Sequence, residues 1–232
     1  MVKKLLIDNP AVSDIVFYPR KIPIPEREEL NVRILRFQIQ KNVELGGFFY
    51  LNNPNFPTIL FFHGNGEIAA DYQSFLNFFF KCDVNLAVID FRGYGLSEGT
   101  KNIPQIDMDM LAAAQTLQKE TEKIYVIGAS MGGIAALNAA LKLEVSGIIS
   151  LSAPQEFMGL KPGNVEDIKA PKLFLASAGD RIAADSARVF YEQANEPREI
   201  EILKGNKHGT DMLRDQNSEA FELITNWLER HK

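Results

Sequence analysis

Short, wholly apolar segments alternate with amphipathic segments over most of the chain, and this alternation most constrains the fold. A strand that helices cover on both faces reads as a continuous apolar run, whereas a half-exposed strand alternates apolar and polar residues. The continuous runs are residues 58–62, 85–89, 124–127, 147–151 and 172–176. A further run, residues 199–203, is more polar, and we expect it near an edge of the sheet.

Amphipathic segments separate these runs and predict helices. Apolar side chains recur at three- and four-residue spacing in residues 69–81, 106–120, 131–143, 185–194 and 218–230. Near the start, residues 32–40 alternate as a half-buried strand does and predict a hairpin with residues 44–51. The order of these elements predicts an α/β fold with a mostly parallel eight-stranded sheet, an antiparallel hairpin at its start and helices on both faces.

The size and composition of the chain fit one α/β unit. The chain has 232 residues, of which 46% are hydrophobic and 24% charged, as in an ordinary globular protein. We expect a single domain over residues 1–232, with residues 1–30 as an N-terminal extension or loop. Cys82 is the only cysteine in the sequence, which excludes an intramolecular disulfide and a cysteine-based metal cluster. Its expected role is that of a small buried apolar residue.

Charge and hydropathy narrow the classes of partner. The formal net charge of −5 leaves no basic surplus for nucleic acid or an anionic membrane. The N-terminal apolar run, residues 5–7, is shorter than the ~7–15 residues of a signal peptide. No segment approaches the ~20 apolar residues of a membrane span. We therefore expect a cytoplasmic protein, while its oligomeric state is left open.

A glycine-rich turn with a central serine follows the run at residues 124–127. Gly128-Ala129-Ser130-Met131-Gly132-Gly133 matches the G-x-S-x-G pattern of a strand-to-helix turn that exposes a nucleophile. Its small neighbours allow the serine a strained backbone conformation, and the N–H groups of the following helix favour developing negative charge. Ser130 is therefore the candidate nucleophile. The alternative is a plain tight turn between a strand and a helix.

A serine hydroxyl needs a base, and the sequence has three histidines. His208 follows the last predicted strand in a glycine-rich loop, and the chain order serine, acid, histidine selects it. His63 precedes the serine, whereas His231 lies at the predicted end of the last helix, where a cation is favoured. The alternative for His208 is a solvated loop histidine.

The candidate acid is Asp180, which follows the run at residues 172–176 and lies between the serine and the histidine. Asp185 is the nearest rival, but its position predicts the N-cap of the next helix. A turn-capping role is also the alternative for Asp180.

With these motifs the chain resembles the α/β-hydrolase superfamily, in its serine esterase and aminopeptidase-like branches, from about residue 31 to the C-terminus. The resemblance rests on the following segments: His63-Gly64-Asn65-Gly66, the Ser130 turn, Gly179-Asp180 with Lys207-His208-Gly209, and Asp90-Phe91-Arg92-Gly93-Tyr94-Gly95-Leu96-Ser97. It implies that the backbone N–H groups of Asn65 and Met131 form an oxyanion hole and that His63 is structural. It also implies that Asp90 and Arg92 hydrogen-bond locally and shape a turn.

Many members of this superfamily carry a helical cap after the sixth strand, but here only residues 152–171 separate the sixth and seventh predicted strands. We therefore expect little or no cap, with Phe157, Met158 and Leu160 either covering part of an acyl pocket or anchoring the loop. The expected function is a serine hydrolase of a small carboxylic ester or related acyl bond, acting through an acyl-enzyme without metal or organic cofactor. A thioesterase, an aminopeptidase-like amide hydrolase and a non-catalytic binding protein on the same scaffold remain alternatives.

Overall fold

One eight-stranded sheet forms the centre of the molecule. The computed structural model describes residues 20–23, 31–214 and 218–232. The strand order is β1-β2-β4-β3-β5-β6-β7-β8. The strands are β1 (Val32–Gln40), β2 (Val43–Tyr50), β3 (Thr58–Phe62), β4 (Asn85–Ile89), β5 (Ile124–Ala129), β6 (Gly147–Leu151), β7 (Lys172–Ser177) and β8 (Arg198–Leu203).

The direction of the strands agrees with the sequence pattern. β2 pairs antiparallel with both β1 and β4, whereas all the other strand pairs, from β4–β3 to β7–β8, are parallel. The predicted mostly parallel sheet with an initial hairpin is thus confirmed. The more polar run forms β8, which is an edge strand as expected.

Helices cover both faces of the sheet. They are α1 (Leu76–Lys81), α2 (Ile103–Leu117), α3 (Met131–Ala140), α4 (Arg181–Gln193) and α5 (Glu219–His231), with short 3-10 helices at Ala69–Phe75, Val165–Asp167 and Gly209–Leu213. Successive side chains of β3 point to opposite faces. Leu60 and Phe62 belong to the core layer under α2, α3 and α4. Ile59 and Phe61 belong to the layer under α1 and α5.

Three predicted helix starts differ from the structure. α2 begins three residues earlier than predicted. The segment predicted as one helix from residue 69 begins as a 3-10 helix and becomes α-helical only at Leu76. α4 begins at Arg181, directly after the β7 turn, so Asp185 lies inside the helix and pairs with Arg188. Asp180 therefore occupies the N-cap position that the sequence pattern assigned to Asp185, although the Asp180 side chain caps no backbone group.

The connection between β6 and β7 is short and lies close to the body. Residues 152–171, all of which are described, contain no α-helix, so the expectation of little or no cap is confirmed. Phe157 and Leu160 exchange backbone hydrogen bonds of 2.9 Å. Leu160 is buried and Phe157 packs against the same core layer, so both anchor the loop. Met158 is 42% exposed.

Among the described residues, no helix combines the length and the apolar composition that crossing a membrane requires. The predicted N-terminal extension lies outside the described residues, apart from residues 20–23. There Lys21 forms an isolated parallel bridge with Gly95, in the loop after β4.

A buried ion pair joins the loop after β4 to α2. The Nε and Nη2 groups of Arg92 each donate to a carboxylate oxygen of Asp109, both at 2.7 Å. The expected local bonding holds for Asp90, whose Oδ2 accepts from the Leu96 N–H at 2.9 Å. It is wrong for Arg92, because its planar guanidinium reaches across to a carboxylate on the helix.

Replacing Asp109 by alanine should lower the free energy of unfolding by about 3–5 kcal/mol, because it leaves the Arg92 cation buried without its anion. Asp185→Ala is the matched control, since its pair with Arg188 is exposed, with side-chain exposures of 73% and 52%, and should cost less than about 1 kcal/mol. Urea denaturation measures both. Equal losses would contradict a special role for the buried pair.

Candidate active site

Ser130 occupies the turn between β5 and α3 in a strained backbone conformation. Its φ of 53° and ψ of −121° lie in a region that side-chain-bearing residues rarely adopt. The Ser130 N–H donates to the Leu151 carbonyl at the end of β6, at 2.8 Å, and its carbonyl accepts from the Gly133 N–H at 2.9 Å. The Ser130 side chain is at the N-cap position but caps no backbone group, so the helix does not use its hydroxyl.

Two glycines allow this turn to pack against the neighbouring strand. A Cβ at Gly132 would lie 2.1 Å from the Phe62 carbonyl oxygen, and a Cβ at Gly128 would lie 2.1 Å from the Gly132 carbonyl oxygen. Both distances are too short for any side chain. The first turn of α3 is therefore in direct contact with the end of β3, and the glycines of the motif are required by this close approach.

His208 and Asp180 lie side by side after β8 and β7. The His208 Nδ1 and Asp180 Oδ2 atoms are 2.5 Å apart. Because a carboxylate only accepts hydrogen bonds, Nδ1 carries the proton, which leaves Nε2 on the other side of the ring as an acceptor. The Gly179 N–H donates to the Gly205 carbonyl at 2.7 Å and ties the two loops together. The predicted base and acid are thus brought together.

The loop that carries His208 packs against the serine turn. Gly209, the next residue, has a φ of 52°, and a Cβ there would lie 3.5 Å from the Ala129 Cβ and 3.9 Å from the Ser130 amide nitrogen. Ser130, Asp180 and His208 therefore share the edge of the sheet at which the parallel strands end.

The two amides proposed as oxyanion donors belong to adjacent segments at this edge. Met131 is the first residue of α3, so its N–H has no carbonyl one turn earlier and carries part of the positive end of the helix dipole. Asn65 follows β3, and its Oδ1 accepts from the Tyr94 hydroxyl at 2.9 Å. Burial raises the pKa of Tyr94, which keeps this phenol protonated as a donor.

His63 supports the loop that contains Asn65. Its Nε2 accepts from the Phe91 N–H at 3.1 Å, so the ring proton is on Nδ1, which lies 2.8 Å from the Gly64 carbonyl oxygen. The imidazole is fully buried and its centroid lies 4.3 Å from that of the Phe91 ring. These contacts give His63 a structural role.

No motif in the sequence predicts a role at the site for Glu67, yet its carboxylate joins three segments there. Oε2 accepts from the Gly64 N–H at 2.6 Å and from the Tyr72 hydroxyl at 2.9 Å, and Oε1 accepts from the Thr210 hydroxyl. Burial and the nearby charge of Glu67 raise the pKa of Tyr72, which remains a donor. Since Thr210 is 143 residues away in the chain, local pattern carries no sign of this contact.

His231 lies away from this edge. Its Nε2 is 3.3 Å from an oxygen of Glu199, near the start of β8, and its ring packs on Trp227 with centroids 4.6 Å apart. A cavity of about 910 Å³ opens at the same opposite edge, next to Thr58 and Asn85 where β3 and β4 begin. Neither feature contributes to the candidate site.

Comparison with known sequences points to hydrolases. A family model described as serine aminopeptidase, S33, matches residues 53–162. The chain is 27% identical over 141 residues to protein bem46 of Schizosaccharomyces pombe. This match covers 54% of this chain and 47% of that protein. It is 34% identical over 116 residues to the alpha/beta hydrolase domain-containing protein WAV2 of Arabidopsis thaliana, covering 47% and 38%. The matches thus span about half, or less, of these curated relatives.

Comparison with solved structures extends over nearly the whole chain. An esterase of Pyrococcus furiosus superposes with a TM-score of 0.76, covering 92% of this chain and 97% of the esterase at 19% sequence identity. At this identity the likeness establishes a common fold. The family model covers the Ser130 turn but ends before Asp180 and His208.

The strain at Ser130 has a measurable consequence. Glycine adopts a positive φ without steric cost, so Ser130→Gly should be more stable to urea than Ser130→Ala by about 1 kcal/mol. Gln115, exposed in α2, gives the control: there the glycine variant should be less stable than the alanine variant by about 1 kcal/mol. The same order at both positions would show that the serine turn is unstrained.

Proposed function

We propose that this chain is a serine hydrolase of the α/β-hydrolase superfamily that cleaves a small carboxylic ester or related acyl bond. The hydrolase family model that matches residues 53–162 and the fold shared with an esterase support this proposal. Ser130 is the nucleophile, His208 the general base and Asp180 the carboxylate that orients the base. The observation that carries the proposal is the 2.5 Å contact between His208 Nδ1 and Asp180 Oδ2, in a loop packed against a strained serine turn.

Acylation begins when His208 Nε2 takes the proton of the Ser130 hydroxyl as Oγ bonds to the substrate carbonyl carbon. The carbonyl electron pair moves onto oxygen, where the N–H groups of Asn65 and Met131 stabilise it. One such donor contributes about 2.7–4 kcal/mol to the transition state. When the carbonyl re-forms, the bond to the leaving alcohol breaks, and the alcohol takes the proton from His208.

Deacylation repeats the chemistry with water. His208 takes a proton from water as its oxygen attacks the acyl carbon, and the proton returns to Ser130 Oγ as the carboxylic acid leaves. Asp180 keeps the proton on Nδ1 and stabilises the imidazolium in both steps. The proposed reaction uses no metal or organic cofactor.

The surroundings of the site support a small substrate that remains partly exposed to water when bound. The side chain of His208 is 49% exposed, and the short β6–β7 connection contains no α-helix that could form a cap. Ile182, in the first turn of α4 just beyond Asp180, is 75% exposed, and such apolar surface beside the site suits an uncharged acyl or alkoxy group.

Amide cleavage at a free amino terminus is favoured less. It needs a carboxylate for the substrate ammonium, but Asp180 is bonded to His208 and both oxygens of Glu67 accept hydrogen bonds from the protein. Thioesters use the same apparatus as esters. We favour esters because activated acyl groups demand least of the site.

A fluorophosphonate probe should label the protein once, at Ser130, and Ser130→Ala should abolish both labelling and turnover of p-nitrophenyl acetate. Asp180→Asn should lower kcat by about 10⁴ because it favours the wrong imidazole tautomer. Asp185→Asn, the matched change in the exposed carboxylate of α4, should leave kcat unaltered. Mass spectrometry locates the label and stopped assays give kcat.

Two results would contradict this assignment. Stoichiometric labelling at another residue would show that Ser130 is not the nucleophile. Equal losses of kcat in the two aspartate variants would show that Asp180 does not orient the base. A wild-type protein that shows neither turnover nor labelling would instead be a binding protein on a hydrolase scaffold.

Acyl-chain length tests the open site. Full burial of each added methylene contributes about 0.8 kcal/mol, or roughly a fourfold rise in kcat/KM. In an open site the added groups stay in water, so kcat/KM over p-nitrophenyl acetate to laurate should rise far less steeply and level off among short chains. A sustained fourfold rise per methylene would indicate an enclosed acyl pocket instead.

A further inference from the structure

Glu67 lies between the two loops on which the proposed reaction depends. Its Oε2 holds the N–H of Gly64, the residue before the proposed oxyanion donor Asn65, at 2.6 Å. Its Oε1 accepts from the hydroxyl of Thr210, which follows His208 by two positions. One half-buried carboxylate thus bonds to both the oxyanion loop and the histidine loop.

The segment between His208 and Thr210 makes this link consequential. Gly209 packs against the serine turn, and Thr210 is 3% exposed with its hydroxyl bonded to Glu67. The His208 side chain itself is half exposed, and Asp180 is its one bonded side-chain partner among the described residues. The position of the imidazole ring therefore depends on how firmly the backbone of its loop is held.

The geometry points to Glu67 as a positioning residue that couples the oxyanion loop to the histidine loop. This inference rests on the proposed function. It touches neither substrate nor reacting atoms and acts through the Gly64 N–H and the Thr210 hydroxyl. A carboxylate near a developing oxyanion opposes the reaction by its charge. The charge of Glu67 and its link between the loops therefore affect kcat in opposite directions. Loss of the charge alone raises kcat, whereas loss of the link lowers it.

Thr210→Val removes the link while keeping the size of the side chain. It should lower kcat for p-nitrophenyl acetate by about tenfold to a hundredfold, the cost of a displacement on the order of 1 Å, with KM changed less than twofold. Thr210→Ser restores the hydroxyl and should restore kcat to within threefold. Thr58→Val is the matched control, since Thr58 is equally buried and its hydroxyl accepts from that of Thr121 at 3.2 Å at the opposite edge of the sheet.

Glu67→Met removes the charge and both acceptor oxygens in a side chain of similar length, so the sign of its effect shows which of the two dominates. If Glu67 acts mainly by linking the two loops, kcat should fall, because neither the Gly64 N–H nor the Thr210 hydroxyl keeps its acceptor. The double variant with Thr210→Val should lose no more than the larger single loss, because both changes break one link. A rise in kcat for Glu67→Met, or fully additive losses in the double variant, would overturn the proposal.

Amide hydrogen exchange tests the link between Glu67 and Thr210 independently of catalytic activity. The amides of residues 205–213 should exchange faster in Thr210→Val than in the wild type or in Thr58→Val. An active wild-type protein whose Thr210→Val variant matches Thr58→Val in kcat and exchange would overturn the link alone. A wild type without turnover and without labelling at Ser130 would overturn the proposed function and, with it, the catalytic role of Glu67.

Discussion

The close contact between the first turn of α3 and the end of β3 determines the geometry of the candidate site. Gly132 lets this turn approach the Phe62 carbonyl more closely than any side chain would permit. In this turn Ser130 has a φ of 53°, and Gly132 also lies against the His63 carbonyl at the start of the loop that carries Asn65. The packing of one turn thus positions the proposed nucleophile and the proposed oxyanion donor Met131 together.

Parallel strand order supplies the rest of the site. β5, β7 and β8 end at one edge of the sheet, so Ser130, Asp180 and His208 are neighbours although they are distant in sequence. This much follows from the sequence, because continuous apolar runs identify buried strands and glycine, serine, aspartate and histidine stand directly after them. The catalytic roles of these residues remain predictions that the proposed experiments address.

Other features depend on contacts that no local pattern reports. The helical period of α4 does not reveal that the helix begins at Arg181, because Asp185 satisfies the N-cap preference equally well on paper. Arg92 looks like part of a local turn, but its length and planar charge bring it to Asp109 on α2. The contact of Glu67 with Thr210 spans 143 residues, so only the folded chain shows it.

The exposure of His208 is what makes the distant contacts of Glu67 important for the proposed reaction. The side chain of His208 is 49% exposed, so its surroundings cover only about half of it. Its orientation then depends on Asp180 and on the loop beneath it, where Gly209 rests on the serine turn and Thr210 is bonded to Glu67. The proposed proton transfer needs His208 within about 3 Å of the Ser130 hydroxyl. Without a cap, the contacts beneath the histidine loop have to hold the base at that distance.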